Sequence, residues 1–275
     1  VENLLIKLEE TKKYLLEKIV ENPKIGLILG SGLGTLADEI ENPTIIDYKD
    51  IPNFPVSTVE GHAGQLVIGK LMGKQVVAMK GRFHYYEGYS MQEVTFPVRV
   101  MKAIGVELML VTNACGGLNP KLHPGALMII NDHINMTGDN PLIGPNHAEL
   151  GPRFPDMSSA YDKDLVKLVK DVSGRIDIDT HEGVYVSISG PNYLSKAELR
   201  MMQIIGADTV GMSTVPEVIV AKHSGLKVIG ISCVTDMAIP DELESINHEQ
   251  VVEIANKTRP KFIKLVKEVI SEVSL

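Results

Sequence analysis

Ile25-Gly26-Leu27-Ile28-Leu29-Gly30-Ser31-Gly32-Leu33-Gly34 begins as a short apolar run and ends with glycine at every second position. Asn22-Pro23 precedes it, so the run is bounded by turn residues on both sides and predicts a short buried strand over 25–29. A helix over about 33–40 is expected next. Strand, glycine turn and helix start together present backbone N–H groups to a phosphate. A dinucleotide fingerprint requires glycine at position 35, where Thr35 stands, and a P-loop requires lysine and a hydroxyl directly after the last glycine. Two readings remain. The loop is a tight turn that lets strand and helix pack closely, or it binds an anion, which Ser31 between two glycines favours.

Outward from this unit, strand-like and helix-like runs alternate. Leu4, Leu5, Leu8, Leu15, Leu16, Ile19 and Val20 recur at helical intervals among Glu and Lys, predicting an amphipathic helix over 4–20. Strands are expected over 65–69, 75–79, 107–112, 127–130, 183–189 and 227–233, with a short one near Thr209. Helices are expected over 91–104, 163–172, 196–205 and 216–223, with a kink or early start at Pro97. A long last helix starts near Asn247, where Asn247 and Gln250 imitate a capping box. Asn113-Ala114-Cys115-Gly116-Gly117 reads as a second glycine-bearing loop at a strand's C-terminal end, where α/β sheets place their ligands. The proline-rich run 132–156 reads as a functional loop. With no repeat and no linker, the expectation is one α/β domain over residues 1–275, a central mixed β-sheet flanked by helices.

Composition narrows the function. At 275 residues and 44% hydrophobic content the chain buries a sizeable core, and a formal charge of −8 argues against a nucleic-acid binder or a basic membrane-surface protein. Cys115 and Cys233 have no CxxC partner and are expected as reduced core residues; no histidine or cysteine spacing suggests a metal. Residues 1–20 carry charges at helical spacing instead of a secretory leader, and no stretch approaches the roughly 20 apolar residues of a membrane span. A cytoplasmic location is expected.

The densest chemistry lies in Gly81-Arg82-Phe83-His84-Tyr85-Tyr86-Glu87-Gly88. A guanidinium beside an imidazole suits a bound oxyanion, and an aromatic two residues later suits a sugar or ring next to it. Alone, the segment is equally a solvated polar loop. Glu87 either accepts from His84 and orients it or is a solvated carboxylate.

These motifs, with Glu60-Gly61-His62, Gly190-Pro191-Asn192-Tyr193, Gly211-Met212-Ser213-Thr214-Val215-Pro216-Glu217 and Asn247-His248-Glu249, occur in the order found in trimeric purine nucleoside phosphorylases, which the chain resembles over nearly its full length. The resemblance implies cleavage of a purine ribonucleoside by inorganic phosphate, a co-substrate, to free base and ribose 1-phosphate, without a cofactor and in a homotrimer. By position it implies that Ser31, His62, Arg82, His84, Ala114 and Ser213 hold phosphate. Tyr86, Met212 and Tyr193 would line ribose and base, and His248 would face the 5′-hydroxyl. The C1′–N9 bond would break through an oxocarbenium-like state, with His84 and Asp236 as catalytic residues.

Three positions depart from the family pattern. Many members have glutamate where Leu194 stands, accepting from the purine N1–H, and leucine cannot do this. Members preferring 6-oxopurines have asparagine where Asp236 stands. Ionised, Asp236 would accept from the amine of adenine; protonated, it would donate to N7. Leu150 replaces a phenylalanine that reaches into the neighbouring subunit. Adenosine is therefore expected as a substrate. The related methylthioadenosine phosphorylases also carry aspartate at this point, but they make the corner occupied here by His248 apolar. A dinucleotide oxidoreductase and a non-catalytic nucleoside sensor are weaker alternatives: Thr35 opposes the first and the phosphate set Ser31, Arg82, His84 and Ser213 the second.

Overall fold

The computed structural model describes residues 2–58, 63–241 and 248–275. The Glu60-Gly61-His62 motif, the Asn247 cap and the side chain of His248 lie outside the described residues. In chain order the elements are α1 (Glu2–Leu16), β1 (Ile25–Leu29), β2 (Glu41–Asp47), β3 (Gln65–Leu71), β4 (Lys74–Lys80), α2 (Met91–Ala103), β5 (Leu108–Gly117) and β6 (Leu127–Met136). They continue as α3 (Lys163–Arg175), β7 (Thr180–Ile188), α4 (Lys196–Ile204), β8 (Thr209–Gly211), α5 (Val215–His223), β9 (Lys227–Met237) and α6 (His248–Glu272).

Among the described residues nine strands form one mixed sheet in the order β2-β3-β4-β1-β5-β8-β7-β6-β9, and β9 also pairs with β5. That extra pairing closes β5, β8, β7, β6 and β9 into a ring, with the first four strands as an open wing. β1 is parallel to β4 and β5, and β5 is parallel to β9, so four C-terminal strand ends point the same way. Two large apolar clusters fill the layers around the sheet. One includes Ile28, Val77, Phe83, Met109, Val218 and Tyr161; the other includes Leu27, Leu29, Leu110, Ile229, Phe262 and Val266. Alternate residues of β1 thus enter opposite clusters, as the two-residue strand period requires. α2 starts at a capping box in which Ser90 accepts from Glu93 N–H and the Glu93 carboxylate accepts from Ser90 N–H. It runs through Pro97 to Ala103.

The structure departs from the sequence expectation in five places, the first being that α1 stops at Leu16, four residues short of the expected end at 20. Residues 34–39 form a 3-10 helix instead of an α-helix, so no α-helix starts directly after the glycine loop. β2 is an edge strand with an irregular register and with Pro43 inside it, which hides its pattern. The segment 113–117 is not a loop; it continues β5, held by β9 and β8. β9 likewise runs four residues past Cys233, and β6 reaches Met136, which shortens the long loop.

Candidate active site

Ser31, Arg82, Ala114 and Asp236 come from the C-terminal ends of β1, β4, β5 and β9, and Met212 and Ser213 follow β8. All of them line one cavity of about 620 Å³, within the roughly 300–1,000 Å³ usual for small-molecule sites. His84, Tyr86, Tyr193 and Leu194 line it too. Ten of the twelve residues named from sequence therefore meet in one place; the other two, His62 and the side chain of His248, fall outside the described residues. Lining residues that sequence reasoning missed include Thr235, Leu199, Val210 and Ala238.

The glycine loop serves packing and site together. A Cβ on Gly30 would lie 2.8 Å from Asn113 Cα and 3.0 Å from Thr112 O, so only glycine lets β1 end this close to β5. Gly32 has φ +75°, and a Cβ there would strike Ala255 of α6. Thr112 joins the two strand ends: its hydroxyl accepts from Gly30 N–H at 3.1 Å and donates to Ile28 O at 3.0 Å. Its carbonyl accepts from Arg82 Nη1 at 2.5 Å.

Arg82 is 1% exposed, and its Nε donates to Glu217 Oε1 at 2.9 Å. Two of its edges are thus fixed, which orients the guanidinium plane. Glu217 lies in the first turn of α5, just after Ser213 and Thr214. Thr214 has φ +76°, a strained value for a β-branched residue, and its hydroxyl accepts from Asn113 Nδ2 at 2.9 Å. This turn is what delivers Ser213 to the cavity beside Asn113 and Ala114.

The carboxylate of Glu87 accepts from His84 N–H at 2.8 Å and approaches the ring Nδ1 at 3.0 Å. Its other oxygen accepts from Thr58 N–H and hydroxyl at 2.9 and 2.6 Å. Of the two readings left open for Glu87, the orienting contact is the one observed. Burial raises its pKa, but the bonds from His84 and Thr58 outweigh this and bring it to about 2. An ionised carboxylate only accepts, so His84 Nδ1 carries the proton. Burial pulls the His84 pKa down, with Arg82 adding to that and Glu87 opposing it. His84 is then a neutral ring whose Nε2 is an acceptor. It stacks on Tyr86, with centroids 4.7 Å apart and planes 14° from parallel.

The folded-state pKa of Glu87 is depressed, so its bonds add stability above the ordinary carboxylate range, and that stability is lost as pH falls towards the folded value. Glu87→Gln is expected to flatten the dependence of Tm on pH between about 4.5 and 2. Acid melts with the wild-type slope would contradict this assignment of Glu87.

Further along the same strands, the register of β5 and β9 shifts: Cys115 faces Val234, but Gly116 faces Asp236. The extra residue, Thr235, makes a bulge that re-aims Asp236 into the cavity. The Thr235 hydroxyl lies 3.2 Å from Cys115 O and 2.8 Å from Asp236 Oδ1. Burial raises the Asp236 pKa, and the Thr235 bond only partly opposes it. Leu194, Leu199, Val210 and Ala238 supply an apolar wall nearby, part of a third cluster with Val186 and Ile188. Tyr193 is half exposed. Ser195 and Glu198 form the capping box that starts α4 right after Leu194. Cys115 and Cys233 are buried free thiols. Among the described residues no group of three or more His, Cys, Asp or Glu is placed to hold a metal.

An α/β fold with one cavity lined by a guanidinium, an imidazole, two serine hydroxyls, a carboxyl and an apolar wall defines a small-molecule-binding protein of the enzyme type. The phosphorylase superfamily matches residues 24–271. Purine nucleoside phosphorylase 1 of Geobacillus stearothermophilus is 58% identical over 267 residues, 97% of each chain. The crystal structure of isoform 2 of the Schistosoma mansoni purine nucleoside phosphorylase, in complex with cytosine and ribose-1-phosphate, matches with TM-score 0.94 at 45% identity, covering 98% of this chain and 97% of that one. A Schistosoma mansoni purine nucleoside phosphorylase in complex with adenosine also matches with TM-score 0.94, at 40% identity over 100% and 98% of the two chains. The chain belongs to the phosphorylase superfamily and, within it, to the purine nucleoside phosphorylases.

Proposed function

We propose that the chain cleaves purine ribonucleosides with inorganic phosphate and that adenosine is among its substrates. The observation that carries this is the single cavity that buried Arg82 and His84 line together with Asp236 and Leu194. Phosphate sits against Ser31, Arg82, His84, Ala114 N–H and Ser213, with ribose over Tyr86 and Met212. The bond from C1′ to N9 breaks as a phosphate oxygen bonds to C1′, giving ribose 1-phosphate and free base. His84 Nε2 takes a proton from phosphate, which raises the charge on the attacking oxygen. Asp236, whose carboxyl burial shifts towards its protonated form, donates in that form to N7 so that the base leaves neutral. Leu194 offers the base no acceptor, so a 6-amino purine loses nothing there that a 6-oxo purine would gain.

No cofactor beyond phosphate takes part in this reading. We place the enzyme in the cytoplasm, in purine salvage, as a homotrimer. Phe154, 88% exposed, and Ile143, 64% exposed, lie on the loop that carries Leu150, and this supports an interface there. Among the described residues no helix is long and apolar enough to cross a membrane.

Phosphate-dependent base release from adenosine, inosine, guanosine and methylthioadenosine, side by side, tests the assignment. Release from adenosine at a rate comparable to or above inosine is expected. Inosine ahead by a wide margin would sink the adenosine assignment. Turnover of methylthioadenosine alone would move the chain to the methylthioadenosine phosphorylases.

A further inference from the structure

The buried carboxylate of Glu217 has no role in the chemistry above, yet it is 2.9 Å from Arg82 Nε, with both side chains 3% exposed or less. It reaches Arg82, behind the cavity wall, from α5, the helix that begins two residues after Ser213. The described charged groups around Arg82 include Glu217 and, through His84, Glu87. His84 adds no charge, because burial holds its ring neutral. An oxyanion site usually carries surplus positive charge; here one guanidinium faces one carboxylate across a short contact, with a second carboxylate close behind.

We propose that Glu217 is a positioning residue that also offsets the charge of Arg82, so that phosphate is held mainly by directed hydrogen bonds in a nearly neutral pocket. This rests on the phosphate role proposed for Arg82. Two consequences follow. The carboxylate fixes the plane of the guanidinium through Nε, while Thr112 O fixes it through Nη1. The offset charge also keeps the ground-state anion from being bound too tightly. Tight binding of phosphate before reaction would stabilise reactant and transition state alike and would slow release of the sugar phosphate.

Glu217→Gln tests it, because glutamine keeps an oxygen acceptor for Arg82 Nε and removes the charge. The dissociation constants of inorganic phosphate and sulfate for the full chain, measured at fixed ionic strength, are expected to fall about tenfold. KM for phosphate should fall with them while kcat also falls, a split that loss of scaffolding does not produce. Unchanged or weaker anion binding overturns the proposal. Arg82→Gln is measured in parallel. If it abolishes phosphate binding while Glu217→Gln fails to tighten it, the phosphate role stands and the charge offset alone is wrong. If Arg82→Gln binds phosphate like the wild type, both fall. Glu217→Gln leaves a buried cation without its counter-charge and is expected to melt early without anion. Saturating phosphate should then restore more stability than it adds to the wild type, and a variant that phosphate does not rescue also overturns the proposal.

Discussion

Replacing Arg82 by lysine is expected to lower phosphate-dependent base release by about 10³-fold, comparable to deleting a preorganised anion donor. Charge is kept, so the loss reports geometry. The guanidinium spends Nε on Glu217 and Nη1 on Thr112 O, and this aims its remaining edge from a site only 1% exposed. A lysine ammonium is a single rotatable point on a flexible stem and cannot hold both contacts and still present a flat pair of donors. The Glu217 carboxylate and Thr112 carbonyl would also compete for it, drawing it off the anion. The effect should lie in kcat and in KM for phosphate, while nucleoside affinity without phosphate stays within about threefold, since the proposed base contacts are made by other residues. Activity within tenfold of the wild type would remove Arg82 from the phosphate site.

The residues that line this cavity are legible in the sequence where local pattern and chemistry coincide. Arg82, His84 and Tyr86 share one short segment, and Ser31 stands between two glycines after an apolar strand. Less legible are features set by pairing partners far away in sequence. β5 and β9 run on through Gly116-Gly117 and Thr235-Asp236 because each supplies the other's hydrogen bonds, not because these residues favour strand. The bulge at Thr235 has no local signature, yet it decides where Asp236 points. Glu217 sits in an ordinary helix start, and only the fold brings it across 135 residues to Arg82. The 3-10 turn at 34–39 reads as an α-helix in sequence, as its apolar Leu36 and Ala37 are buried by contacts no local period reports. The edge strand β2 is hidden by Pro43, since only Ile46 in it is buried.

The largest change in specificity is expected from Asp236→Asn. The carboxyl shares its cavity wall with Leu194, Leu199, Val210 and Ala238, and burial raises its pKa. In its protonated form it donates to N7 of either purine; ionised, it accepts from a 6-amino group and repels a 6-oxo group. Asparagine gives up the transferable proton but presents an amide N–H to a 6-oxo group. The ratio of kcat/KM for adenosine over inosine is therefore expected to fall by about 10²-fold or more, through loss on adenosine and gain on inosine. Above its raised pKa the wild-type Asp236 loses its proton, so kcat on adenosine should decline as pH rises; the asparagine variant has no such limb. Stability moves the other way. A carboxyl whose folded pKa is raised binds its proton more tightly in the folded state, so it costs stability as pH rises past the unfolded value. Asp236→Asn is then expected to melt higher than the wild type at pH 7 while working worse on adenosine, as a buried group kept for chemistry should. An unchanged substrate ratio, or a variant that melts lower at pH 7, would mean that Asp236 is a structural partner of Thr235 and that base choice is made elsewhere on the cavity wall.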